Sequence, residues 1–132
     1  MHEMGLVRPL VDAILEHCEG VNVETVLSVR LSIGEYVDVI EPLIPELFRF
    51  LAHGTVAEHA EIVINRVPGY AICNACSDIF SLDVKDDSTW HCPRCGEQNY
   101  RMFSGREFSI DAIEVREFDD EPNTVAVSEV AA

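Results

Sequence analysis

Val7, Leu10, Val11, Ile14, Leu15 and Cys18 stand at offsets 0, 3, 4, 7, 8 and 11. That spacing puts them on one face of an amphipathic helix, with Gly20 as its stop. Pro9 interrupts the pattern. A proline has no N–H and crowds the preceding turn, so either the regular helix begins near Arg8 or its first turn is distorted. From Val23 the period changes to two. Val23, Thr25, Leu27, Val29, Leu31 and Ile33 alternate with mostly polar neighbours, which predicts a half-buried strand ended by Gly34. Helical spacing returns over residues 41–53. Pro42 suits a first-turn position and Pro45 must lie in the same turn. Leu43, Leu47, Phe50 and Leu51 share a face there, with Ile44 and Phe48 beside it. Gly54 is the expected left-handed terminator, and His53 in the last turn complements the helix dipole.

Residues 60–67 predict a second strand, ended by Pro68-Gly69. The stretch 79–84 is β-like, and residues 85–88 read as a turn between two arms of a ribbon. A last strand runs from Glu107 to Phe118. Its apolar phase breaks: Phe108 and Ile110 point one way, Ile113 and Val115 the other. One extra residue near Asp111-Ala112 reconciles them, so a β-bulge is expected there. After Phe118 the chain has four acidic residues, no basic ones and no periodicity, the pattern of a disordered tail.

Between the second and last strands lie Cys73-Asn-Ala-Cys76 and Cys92-Pro-Arg-Cys95-Gly96. Paired C-x2-C motifs at this separation are the spacing of a zinc site. Two thiolates on one tight turn occupy adjacent corners of a metal, and a second turn completes a tetrahedron with Zn–S bonds of about 2.3 Å. All four ligands come from protein, so no position stays open for a reacting water, and the site is structural. Iron in the same cage is not separated from zinc by spacing alone. Cys18 has no such partner and reads as a small core residue. His91, directly before Cys92, is either an accessory to the site or simply exposed.

The formal net charge of −15 weighs against nucleic acid, where affinity rests on neutralising phosphates, and suits a soluble protein with basic partners or cationic cargo. No run of 18 apolar residues is present, so no membrane helix is expected. The first residues lack a signal peptide's basic and apolar regions. The cysteine pattern implies metal binding in a reducing compartment, and the expected location is the cytoplasm.

Met1-His2-Glu3 opens a second chemical possibility. The α-amine, the His2 amide nitrogen and the imidazole Nδ1 of His2 can close adjacent chelate rings, with the Glu3 amide or an outside ligand at a fourth corner. An all-nitrogen square-planar set suits Ni(II) or Cu(II). Taken alone, a mobile polar terminus is the commoner explanation of the same residues.

These parts together resemble the HypA (HypA/HybF) family of hydrogenase nickel-incorporation proteins. The likeness is carried by Met1-His2-Glu3-Met4, Ile33-Gly34, His53-Gly54-Thr55-Val56-Ala57-Glu58, the two knuckles, Gly105-Arg106-Glu107-Phe108-Ser109-Ile110 and Ile113-Glu114-Val115. It implies an α+β fold, two helices on a three-stranded mixed sheet with an inserted four-cysteine zinc ribbon. The implied domains are 1–67 with 106–118 for nickel, 68–105 for zinc, and a tail over 119–132. It also implies a metallochaperone and not an enzyme. Nickel would go to Met1, His2 and Glu3, and structural zinc to Cys73, Cys76, Cys92 and Cys95. The implied partners are the GTPase HypB and the [NiFe]-hydrogenase large subunit, with urease maturation proteins as a further client. The competing readings are a zinc-ribbon interaction module without a nickel role and a rubredoxin-like iron electron carrier.

Overall fold

The computed structural model describes residues 2–118 and 122–125. They form two compact units: Met1–Ser32, Val39–Asn65 and Phe108–Ala132 make the first, Ile33–Asp38 and Arg66–Glu107 the second. The second unit thus includes a short segment that begins with the last two residues of the first strand, as well as the cysteine region.

Helix α1 spans Glu3–Glu19 and buries Val7, Leu10, Val11, Ile14 and Cys18. This is the expected face except for Leu15, which is half-buried. The helix does not wait for Arg8, because Pro9 lies inside it. An interior proline costs about 3 kcal/mol. Val7, Leu10, Val11 and Ile14 are at most 2% exposed, and burial at about 1.5–3 kcal/mol per side chain outweighs that cost.

Helix α2 spans Leu43–Leu51, with Pro42 as its N-cap residue. Its buried stripe is Ile44, Phe48 and, just beyond the helix, Ala52, whereas Phe50 is 69% exposed. The expected face is therefore rotated. Apolar residues nearly encircle this short helix, which packs on α1, and Ile44 and Phe48 are the ones that become core. Gly54 follows with φ +79°, as a left-handed terminator requires.

Strand β1 (Val23–Gly34) alternates as expected from Val29 onward, with Val29, Leu31 and Ile33 buried. Its first half does not. Val23 and Val26 are the buried residues there, three apart, while Thr25 and Leu27 are half-buried. The residue-56 carbonyl explains the shift: it accepts the Val26 N–H at 2.8 Å and the Thr25 hydroxyl at 3.3 Å.

The remaining strands are β2 (Glu61–Val67), β3 (Tyr70–Cys73), β4 (Ile79–Phe80), β5 (Tyr100–Ser104), β6 (Phe108–Glu117) and β7 (Pro122–Val125). The fold is two helices with a mixed sheet of β2, β1 and β6, extended by β7 in the order β2-β1-β6-β7. In β6, Phe108, Ile110, Ile113 and Val115 are buried. The phase changes between Ile110 and Ile113, where the bulge is expected.

Strand β7 departs from the reading of 119–132 as disordered. It pairs antiparallel with β6, Val125 opposite Ile113 and Pro122 opposite Arg116. A proline is tolerated at the first position of an edge strand because no partner needs its N–H, and Thr124 and Val125 are β-branched strand formers. The rest of that tail lies outside the described residues.

In the second unit the sheet order is β4-β3-β5. Ala71, Cys73, Phe80, Leu82 and Cys92 form its core, with Tyr36, Tyr100 and Met102 packed against them. The Phe80 and Tyr100 rings meet edge to face at 5.6 Å. Tyr36 ties the base of this unit together. Its hydroxyl donates to the Gly69 carbonyl at 2.8 Å and accepts the Leu82 N–H at 3.2 Å. Its own N–H donates to the Gly105 carbonyl, and the Gly34 N–H to that of Glu107. These backbones approach so closely that a Cβ on Gly34 would lie 2.1 Å from the Gly105 carbonyl carbon.

Gly34→Ala therefore places a methyl group against backbone that has no side chain to move. Overpacking of this kind typically costs about 1–3 kcal/mol, and a loss at or above the top of that range is expected in chemical denaturation. A change under about 0.5 kcal/mol, the level of an ordinary surface substitution, would show that the junction is not rigid.

Candidate metal centre

Each cysteine pair sits on a turn that its own backbone closes. At the first, the Ser77 N–H donates to the Cys73 carbonyl at 3.0 Å and the Cys73 N–H to the Asp78 carbonyl at 2.9 Å. At the second, the Gly96 N–H donates to the Cys92 carbonyl at 2.8 Å and the Cys92 N–H to the Glu97 carbonyl at 2.9 Å. Both turns exit through a positive φ, +67° at Ser77 and +77° at Gly96. Glycine adopts that conformation freely; at the first knuckle a serine carries it instead.

The turns bring the sulfurs together. Cys73 Sγ lies 3.6 Å from Cys95 Sγ, and Cys76 Sγ 3.6 Å from Cys92 Sγ. All four lie within 4.8 Å of one another. Disulfide sulfurs stand about 2.05 Å apart, so these thiols are free. Sulfurs at the corners of a tetrahedron with 2.3 Å metal bonds stand about 3.8 Å apart. The donor set fits one tetrahedral thiophilic ion. His91 is exposed and is not part of this group.

Backbone donors prepare the first knuckle for charge. The N–H groups of Cys76 and Ala75 both point at Cys73 Sγ, each at 3.4 Å. Led by the Cys76 N–H, they bring the Cys73 thiol down to about 7. Cys95 goes the other way. The Glu97 N–H favours its thiolate, but the Cys73 thiol, burial and the other thiols outweigh it and push Cys95 up to about 12. Cys76 is also raised: the Asp78 N–H favours its thiolate, yet burial with the Cys92 and Cys73 thiols prevails. Four sulfurs this close cannot all ionise without a cation among them.

A polar clasp that the cysteine spacing does not disclose braces the first knuckle. Asn74 Nδ2 donates to Asn99 Oδ1 at 2.9 Å, and Arg101 Nη1 donates to Asn74 Oδ1 at 2.6 Å. The Asn74 N–H also donates to the Asn99 carbonyl at 3.0 Å. Asn74 is one of the two residues between the cysteines, so the clasp holds the knuckle onto the strand that leaves the site.

At the other candidate site, Met1 lies outside the described residues. His2 is exposed and occupies the N-cap position of α1 without a side-chain capping bond. Its carbonyl accepts the Leu6 N–H at 3.1 Å. A helix uses none of its first N–H groups in its own ladder; the Glu3 N–H serves its own carboxylate instead. Glu3 points inward. It is 4% exposed, and its Oε2 accepts the Ile40 N–H at 3.0 Å. That bond, followed by one from Glu3's own N–H, holds the carboxyl below its ordinary value. Glu3 was a candidate ligand by sequence; its side chain is occupied as an anchor for the segment around Ile40. Nothing in local sequence flags Ile40 as its partner.

No described helix is long and apolar enough to cross a membrane. Residues 1–115 match a family model described as hydrogenase/urease nickel incorporation, metallochaperone, hypA. A hydrogenase maturation factor HypA from Geobacter sulfurreducens is 33% identical over 115 residues, 87% of this chain and 99% of that protein. One from Legionella pneumophila is 30% identical over the same fractions. The solution structure of the Ni metallochaperone HypA from Helicobacter pylori superposes with a TM-score of 0.63 at 22% identity, over 89% of this chain and 99% of that one.

Two outcomes follow from the charges. Metal bound by four thiolates must displace their protons, and at pH 7 about three to four are expected per ion. Calorimetry of the metal-free protein with Zn(II) in buffers of different ionisation heat measures this, and release of one or none would contradict the raised thiols. For Glu3, a depressed folded-state value gives stability that is complete above the ordinary value of 4.5 and lost as pH falls through the folded one. Wild type should melt higher than Glu3→Gln near neutrality and converge with it in acid. A gap between the two that persists unchanged in acid would show that the carboxylate charge is not what stabilises.

Proposed function

Because the chain belongs to the HypA family of nickel-incorporation metallochaperones for hydrogenase, we propose that it takes up Ni(II) at its own N-terminus and hands it on during [NiFe]-hydrogenase maturation. The family is a maturation factor and not an enzyme, and no residue is assigned a catalytic role. The nickel ligands are the Met1 amine, the amide nitrogen and imidazole of His2, and the backbone of Glu3. One observation carries this reading. Helix α1 begins at Glu3 with an exposed His2 ahead of it, so the donor nitrogens precede the helical ladder. The Glu3 carboxylate, anchored on the Ile40 N–H, acts as a positioning group: it sets where the terminus leaves the fold.

The chemistry of uptake is proton release. The α-amine, with an ordinary value near 8, and any coordinating amide must deprotonate, so binding weakens as pH falls. Release is open because ligands on a chain end can exchange one at a time. Zinc is assigned to Cys73, Cys76, Cys92 and Cys95, within a metal-bearing module spanning 68–105. When bound, it supplies a cross-link between the two knuckles. A redox-inactive ion suits a carrier of metal cargo, which has no use for an iron cage's electron transfer. The partners are the GTPase HypB and the hydrogenase large subunit, with urease maturation proteins as an alternative client, all acting in the cytoplasm.

The test is a Ni(II) titration by calorimetry of untagged protein already loaded with Zn(II), its Met1 terminus verified by mass spectrometry. His2→Ala and a form with residues added before Met1 are run beside it. Tight uptake by native protein that both variants lose is the expected result. Equal uptake by all three would move the nickel elsewhere, and no uptake by any would leave the cysteine ribbon as an interaction module.

A further inference from the structure

We propose that the turn after α2 carries a second, exposed site for a borderline divalent transition-metal cation, built from His53, Glu58 and His59. It is separate from the chain terminus and from the thiols.

The turn's backbone is fixed. Gly54 holds φ +79°. The Thr55 hydroxyl donates to the Ala52 carbonyl at 2.6 Å and accepts the Ala57 N–H at 3.2 Å. The N–H groups of Thr55, Glu58 and Ala60 close successive turns onto the carbonyls of residues 52, 55 and 57. Ala52 and Ala57, both fully buried, fasten the turn to the core.

From this frame His53 and His59 flank Glu58; the three do not form an already closed ligand group as the four cysteines do. His53 Nδ1 stands 2.7 Å from Glu58 Oε2, and His59 Nε2 stands 4.0 Å from Glu58 Oε1. One imidazole thus attends each carboxylate oxygen. Two adjacent ligands on an octahedral ion with bonds of about 2.1 Å stand about 3 Å apart. The His53–Glu58 pair already has that separation, and His59 has about 1 Å to close. The side chain of His59 is 86% exposed, so little resists that swing.

Glu58 is the fixed member. Its side chain is 26% exposed, and its Oε1 accepts the Gly54 N–H at 3.3 Å, a bond that orients the carboxylate as outer partners orient metal ligands. Both imidazoles lie within ion-pair reach of Glu58, so a bound cation would exchange those contacts for coordination. Two imidazoles and one carboxylate suit Ni(II), Cu(II) or Zn(II). The adjoining hollow of about 400 Å³ is lined by Glu46 and Arg49, whose charges offset, while the chain's net charge of −15 draws cations generally. With three protein ligands the coordination shell stays partly water, which gives an exchanging capture site.

The experiment uses the full chain supplied with one equivalent of Zn(II), with residues added before Met1 so that the terminal chelate cannot form. Ni(II) is added while the histidine ring resonances and the binding heat are followed. The rings of His53 and His59 should broaden together and ahead of that of His91. His53→Ala and His59→Ala should each weaken uptake about tenfold or more, since losing even an outer partner costs that much. His91→Ala should match the parent. Simultaneous broadening of all exposed rings, or superimposable titrations of the variants, would reduce the site to non-specific surface binding and overturn the proposal. Melting curves of the variants confirm that both exposed substitutions leave the fold intact. Since the terminus is blocked throughout, the result is independent of whether native protein holds nickel there.

Discussion

The convergence of four sulfurs is the constraint on which the second unit depends. That unit has about 50 residues, below the roughly 70–80 at which a hydrophobic core usually suffices unaided. Its core is five residues, and two of them, Cys73 and Cys92, also belong to the sulfur cluster. Core and candidate metal site therefore share residues. Positions that pack the unit also set the sulfur tetrahedron, and the Asn74–Asn99–Arg101 clasp and the Tyr36 junction brace its two ends. The raised thiols of Cys76 and Cys95 are the electrostatic counterpart of this arrangement. Without a cation Cys76 and Cys95 hold their protons beside the lowered Cys73; with one, all four sulfurs can serve as its ligands.

The first unit solves the opposite problem. Its core is ample, and what needs placing is a chain end. Burying a carboxylate is costly unless donors meet it, and Glu3 meets that demand with the Ile40 N–H. The first turn of α1 is thereby pinned while His2, one residue earlier, stays in solvent. The group proposed to take up nickel is thus anchored at its root and solvent-exposed at its tip.

Much of this was legible in residue order because local physics decides it. Paired cysteines two residues apart allow few alternatives to a knuckle, and the α1 face follows from its spacing. The phase change in β6 could be read from Ile110 and Ile113 alone. What was not legible is decided by packing. Around α2 the apolar residues offer several faces, and tertiary packing buries Ile44 and Phe48. Pro9 argues locally against a helix that burial nevertheless sustains. Val26 is buried because a carbonyl thirty residues away bends the pattern of β1. Tyr36, Asn99 and Arg101 carry no motif; their roles exist only once distant segments meet. The acidic composition after Phe118 outweighed two β-branched residues that suffice for a short edge strand.

That edge strand has a consequence for solubility. An uncovered strand offers a row of unpaired amides and carbonyls to any other chain, the usual starting point for aggregation. Along β6 the residues Ile113 to Arg116 find their partners in Val125 to Pro122. Strand β7 is thus a short, proline-led cover along one edge of β6. A chain shortened at Phe118 would keep every proposed metal ligand and still be a stickier molecule, prone to meet its own copies along the exposed strand.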